Sequence, residues 1–357
     1  MKTVNDLLRN LPGRIGDSGM VLNEDSRIDP RIVEALKPFN LEGEAGPSPV
    51  SIGSPIRDRL KFCAEAEPGF EEMMAALMLD VLEPPGLENN TRTITGEDEN
   101  EITLFIHRPR ESANLPAILH LHGGGMSILH GGGPLYTRWR QGLAESGLIV
   151  VGVEFRNAAG ALGSHAFPAG LNDCSSALKW MLANKEELGY TKLVVSGESG
   201  GGNLALALAL KAKRDGFSHC IDGVYAQCPY ISNDYETKSE GLLSLVENDT
   251  YFLNCQMLGV LASIYDGADS QNPLAWPYHA TISDLEGLPP HVISVNELDP
   301  LRDEGLVYYR NLLSAGVNAT SRTVNGTVHA GDVIFRKATP EICNSTIQDV
   351  RNFSRSL

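Results

Sequence analysis

From residue 86 onward, short runs dense in branched and apolar residues alternate with longer stretches of helical spacing. Arg92–Gly96, Glu101–Arg108 and Leu115–His122 read as strands, because β-branched and apolar residues crowd into each. Leu135–Ser146 follows as a helix and Leu148–Phe155 as a buried strand. Pro168–Leu188 reads as one helix with Pro168 in its first turn, where a missing N–H costs nothing. Strand Lys192–Ser196, the Ala/Leu-rich helix Gly200–Arg214 and strand Gly223–Cys228 keep the rhythm. Helical and loop material from about Tyr230 to Tyr278 interrupts it. It resumes with strand His291–Asn296, helix Arg302–Ala315, strand Ala319–Val324 and helix Pro340–Ser354. Such alternation builds a mostly parallel sheet with helices on both faces. Its functional groups belong on loops at the carboxyl ends of the strands.

The first 85 residues are different in kind. They are rich in Pro, Gly and acidic residues, with helical patches at Pro30–Leu36 and around Phe70–Leu82, and Pro84-Pro85-Gly86 closes them off. The chain therefore divides into an N-terminal segment (1–85), an α/β core in two parts (86–229 and 279–357), and an insertion (230–278). No repeat or low-complexity tract is visible.

Composition narrows the function classes. The 357 residues are 42% hydrophobic and 21% charged, as in an ordinary soluble globular protein. A formal charge of −16 argues against a nucleic-acid partner, which needs clustered Lys and Arg, and against adhesion to anionic membranes. Six scattered cysteines without a CxxC pair read as reduced thiols rather than a disulfide or zinc framework. Met1–Leu7 lacks the apolar core of a signal peptide, and no apolar run is long enough to span a bilayer. A cytoplasmic location is the expectation.

The chemistry concentrates at strand ends. Gly197-Glu198-Ser199-Gly200-Gly201 matches G-x-S-x-G, with a strand entering and a small-residue helix leaving, the geometry of a nucleophile elbow. A Cβ two residues either side of the serine would collide with neighbouring backbone. The helix from Gly200 points its N-terminal dipole at the serine oxygen. His122-Gly123-Gly124-Gly125 ends another strand and offers peptide N–H groups with no side chain in the way. Amides of Gly124, Gly125 and Gly200 are the candidate donors to an oxyanion, worth about 3–4 kcal/mol each. His122 reads as structural, bonded to loop backbone, and Gly131-Gly132-Gly133 as a plain connector.

With such an elbow the acid and the histidine come later in the chain, in the order Ser, Asp/Glu, His. Four histidines follow Ser199. His219 precedes a strand, His279 lies in the insertion and His291 starts a strand at the wrong end. His329 alone follows a strand end, in the loop Asn325–Gly331. For the acid, Asp299 precedes Pro300 and so stays in the loop after strand His291–Asn296, with Glu297 as the alternative. Asp303 and Glu304 fall in the first helical turn, where the dipole already accounts for acidic residues.

Together, His122–Gly125, Gly197–Gly201, Asp299–Gly305 and His329 resemble the hormone-sensitive-lipase family of α/β-hydrolase esterases, as does His165-Ala166-Phe167-Pro168-Ala169 through Asp173. Leu11–Asp17, Asp222–Tyr225, Ser244–Asp249 and Trp276–Tyr278 extend the likeness to one bacterial member over nearly the whole chain. The resemblance implies the α/β-hydrolase fold and hydrolysis of small-molecule esters or lactones with no cofactor and no metal. It also implies a homodimer, and a cap formed by the N-terminal segment and the 230–278 insertion. Carried over residue by residue, the triad is Ser199, Asp299 and His329. Three positions depart from the family: Glu198 and Gly200 stand where Asp and Ala are usual, and Ala330 replaces a common glycine. Lactonase, thioesterase and amidase activities share this triad chemistry. A small-molecule receptor on a retired hydrolase scaffold is the rival from another class. Such proteins usually lose a triad member, whereas all three positions are filled here.

Overall fold

A computed structural model describes residues 11–110, 114–267 and 270–357. The Met1–Leu7 stretch read for a signal peptide lies outside the described residues. The strands that read as continuous apolar runs form the centre of the molecule. They are β3 (Leu115–Leu121), β4 (Ile149–Glu154), β5 (Tyr190–Glu198), β6 (Gly223–Gln227) and β7 (His291–Leu298), buried along nearly their whole length. Burial on both faces is the condition that produces such runs in a parallel sheet. With β1 (Leu87–Thr95), β2 (Glu101–Pro109) and β8 (Ala319–Val328) they make one eight-stranded sheet in the order β1-β2-β4-β3-β5-β6-β7-β8. β1 and β2 pair antiparallel with each other, and β2 with β4; every other pairing is parallel.

The main helices are α1 (Pro30–Leu36), α2 (Ile56–Leu77), α3 (Pro134–Glu145), α4 (Ala169–Ala183), α5 (Gly200–Arg214), α6 (Cys255–Tyr265), α7 (Arg302–Ser314) and α8 (Pro340–Ser356). α5 is buried on nearly all sides and packs on β5 and β6. Its last turn carries Lys211, Lys213 and Arg214, which complement the negative end of the helix dipole.

Four expectations need correction. The first strand begins at Leu87, not Arg92: this edge strand is exposed along most of its length, so Glu88-Asn89-Asn90 carries no apolar signal. The helical patch at Phe70–Leu82 is the second half of α2, which starts at Ile56 and runs through Pro68. Pro68 removes one backbone donor, and packing of α2 against α6 and α3 holds the helix through it. The Pro168–Leu188 helix is two helices, α4 and Lys185–Leu188, separated at Asn184, and Pro168 is the residue before the first turn rather than within it. β8 runs four residues past Val324, so most of the expected Asn325–Gly331 loop is strand and His329 follows it directly.

The N-terminal segment and the insertion meet. Glu247 receives Arg27 at 2.5 Å and Arg302 at 2.8 Å, and Arg27 also binds Asp25 at 2.7 Å. One buried carboxylate thereby joins the N-terminal segment, the insertion and α7. Among the described residues all six cysteines are unpaired, and no helix is long and apolar enough to cross a membrane.

Candidate active site

Two features of the sheet bring the predicted residues together. The first is the turn between β5 and α5. Ser199 sits between them at φ 58 and ψ −118, a conformation a non-glycine residue rarely adopts. The flanking glycines permit it. A Cβ on Gly201 would stand 1.9 Å from Leu121 O, and one on Gly197 would stand 2.4 Å from Gly201 O. The turn is locked by Ser199 N–H donating to Gln227 O at 2.9 Å, and by Asn203 and Tyr230 N–H donating to Ser199 O.

The second is strand register. Beyond an irregularity at their ends, β7 and β8 pair Leu298 with Val328. Asp299 and His329 are the first residues past each strand, so neighbouring backbones deliver them side by side. His329 Nδ1 lies 2.8 Å from Asp299 Oδ2, and Asp299 Oδ1 accepts the Leu301 N–H at 2.9 Å. Asp299 is fully buried and His329 is 5% exposed. Asn248 of the insertion donates to the backbone oxygens of Glu297 and Asp299, both at 3.1 Å, and accepts from Arg27. Glu297, the alternative acid, lies within β7 and accepts the Gly326 N–H at 2.9 Å. The other histidines face elsewhere: His279 bonds Ser232 O, His291 bonds Pro289 O, and His219 lies in the turn Ser218–Cys220.

Register also sets the third component. β3 and β5 pair Leu121 with Gly197, so the glycine turn after β3 stands beside the serine turn after β5. A Cβ on Gly123 would be 3.5 Å from Ser199 Cβ, and one on Gly200 would be 2.7 Å from Gly125 N. Alanine, the usual family residue at that position, would meet the loop backbone here. Among the described residues, neither the Gly124 nor the Gly125 N–H has a hydrogen-bond acceptor. The Gly123 N–H is taken by Glu198 Oε1 at 3.1 Å, while Glu198 Oε2 meets His120 Nε2 at 3.0 Å. Burial keeps His120 below the usual histidine range, so it is a neutral hydrogen-bond partner rather than a cation.

His122 bonds Gly123 O at 2.8 Å and stacks on Phe155. Gly131–Gly133 is more than a connector: Glu154 accepts the Gly131 and Gly132 N–H groups at 2.8 and 3.3 Å. The roles of Glu198, Glu154 and Asn248 escaped the sequence reading, because their partners lie in other segments of the chain. Their local signal is that of ordinary surface polars.

Ser199, His329 and Gly123–Gly125 share one cavity of about 270 Å³. Leu41, Phe70 and Met74 from the N-terminal segment and Phe252, Met257 and Leu261 from the insertion form its walls. Among the described residues, one trio could hold a metal ion: Cys228, Asp299 and His329, with donor atoms within 4.8 Å of one another. Two of the three are already bonded to each other. Burial, then the Asp299 charge, pushes the Cys228 thiol well above its usual range, so it stays protonated and inert.

Residues 118–332 match the model of a family described as having the alpha/beta hydrolase fold. This chain belongs to the α/β-hydrolase family. Among solved structures it is similar to brefeldin A esterase, described as a bacterial homologue of human hormone sensitive lipase. The TM-score is 0.92 and the identity 43%, over 96% of this chain and 98% of that one. It is 30% identical to carboxylesterase NlhH of Mycobacterium tuberculosis over 76% of this chain and 84% of that protein. It is 31% identical to an arylesterase of Saccharolobus solfataricus over 65% of this chain and 74% of that one. The cavity of this family member lies at the carboxyl ends of parallel strands, lined by Gly123 after β3, Ser199 after β5 and His329 after β8.

Proposed function

We propose that this α/β-hydrolase cleaves carboxylic esters by two-step acyl transfer, with Ser199 as nucleophile, His329 as base and Asp299 orienting the imidazole. Carboxylic ester hydrolysis is the activity of the chain, in keeping with relatives named arylesterase and carboxylesterase. The observation that supports the finer reading most is the buried Asp299–His329 pair, 2.8 Å apart, whose imidazole lines the same cavity as Ser199.

Ser199 Oγ attacks the ester carbonyl while His329 Nε2 takes its proton. The carbonyl oxygen becomes an alkoxide, received by the N–H groups of Gly124, Gly125 and Gly200. The imidazolium returns the proton to the leaving alcohol. Water then attacks the acyl-serine along the same route, releasing the acid. Lactones undergo the same sequence with the alcohol still tethered. In this reading the N-terminal segment and the 230–278 insertion form the cap over the site.

The experiment is labelling with a fluorophosphonate, read by peptide mass spectrometry. A single adduct on Ser199 is expected; no adduct, or one on another residue, would sink the proposal.

The walls also speak to substrate class. Among the described residues no Lys or Arg lines the cavity, and the side chain of Asn254, the one amide there, is engaged by Gly46 O and Met257 N–H. A carboxylate on the substrate would be desolvated there with no Lys or Arg side chain to meet it. We expect kcat/KM for p-nitrophenyl butyrate to exceed that for a matched ester bearing a free carboxylate by at least about tenfold, roughly 1.4 kcal/mol. Equal values would contradict the assigned pocket.

A further inference from the structure

Glu67 lies on α2, ahead of the sheet in the chain, and is only 3% exposed. A carboxylate this deep requires donors, and it has two peptide amides. One oxygen accepts the Leu129 N–H and the other the Ala161 N–H, both at 2.6 Å. A Cβ on Gly160 would come within 2.7–2.9 Å of the carboxylate, so the glycine there makes room for it.

The amide that Glu67 holds belongs to the peptide joining Ile128 and Leu129. The carbonyl of that same rigid peptide packs against Gly124, where a Cβ would stand 2.0 Å from Ile128 O. Leu129 is kept at φ 70, and its own carbonyl accepts from Asn157 Nδ2 at 2.6 Å. Gly124 O accepts the Ser127 and Ile128 N–H groups at 3.1 and 3.0 Å, closing the turn on itself. The loop that carries the Gly124 and Gly125 amides is thus shut by a peptide gripped from α2.

We infer that Glu67 is a positioning residue for the oxyanion turn. The segment that walls the cavity also sets the amides that receive the alkoxide, so covering the substrate and readying the transition-state site are one structural act. The inference rests on the acyl-transfer reading above. Preorganised donors matter most where charge develops, so a displaced turn weakens transition-state binding more than substrate binding.

Glu67→Gln tests it. An amide keeps one acceptor oxygen and turns an NH2 group toward the second peptide N–H. We expect kcat to fall about tenfold, with KM within about twofold of wild type. Affinity for a boronic acid that forms a tetrahedral adduct on Ser199 should fall by the same factor as kcat/KM. Rates are normalised to the end-point fluorophosphonate titre, which removes any misfolded fraction. Gly160→Ala disturbs the same carboxylate from the opposite loop and should give the same signature, with a double variant losing less than the product of the singles. Wild-type kcat and boronate affinity in Glu67→Gln, a change confined to KM, or fully multiplicative losses would overturn the inference. Full Ser199 labelling alongside those results would leave the acyl-transfer reading standing, whereas absent labelling in the wild type would remove both.

Discussion

Ser199→Ala is expected to lower turnover of p-nitrophenyl butyrate by about 10⁶-fold, to a residue of activity contributed by binding and the oxyanion donors. The argument is local. The hydroxyl is the one group on the elbow that can form the acyl bond, and the strained φ of 58 belongs to the turn rather than to the oxygen. Alanine therefore inherits the same backbone, held by the same Gln227, Asn203 and Tyr230 contacts. Circular dichroism and the thermal midpoint should match wild type, which separates lost chemistry from lost folding. Near-native activity in this variant would refute the assignment of the nucleophile.

Asp299→Asn should cost about 10⁴-fold in kcat, although it changes no shape. The Asp299 carboxylate accepts two N–H groups, from Leu301 and from His329 Nδ1. An amide has one oxygen. If that oxygen stays with the rigid Leu301 amide, the NH2 faces Nδ1 and forces the proton onto Nε2. The imidazole then has no lone pair to offer Ser199, and the imidazolium loses its counter-charge. Kinetics at saturating substrate, together with ¹⁵N shifts of the imidazole, read both effects. Glu297→Gln is the comparison, since that carboxylate holds Gly326 instead. A loss of under tenfold in Asp299→Asn would move the acid elsewhere.

Much of this arrangement is legible in residue order, because local periodicity and punctuation encode it. The apolar runs of β3 to β7 announce a sheet buried on both faces, and Gly197–Gly201 announces a turn too tight for side chains. Legibility fails where the decisive partner is remote. The first half of β1, through Glu88-Asn89-Asn90, is exposed and polar, so pairing with β2, not composition, makes it strand. Asn325-Gly326 has the look of a turn, yet the pairing of β8 with β7 carries the strand to Val328, with Glu297 holding the Gly326 amide. Glu67 and Glu198 pass for surface acids until the fold buries them against peptide amides from other segments.

The Leu298–Val328 pairing decides which length changes this protein can accept. Removing or adding one residue in either strand ahead of that pair would flip its terminal side chain to the opposite face, parting acid from imidazole however well the sheet still formed. The connection between β6 and β7 has no such parity to respect, so a change of length there leaves Leu298 opposite Val328. Variation in size therefore belongs to the walls, while the floor keeps its count.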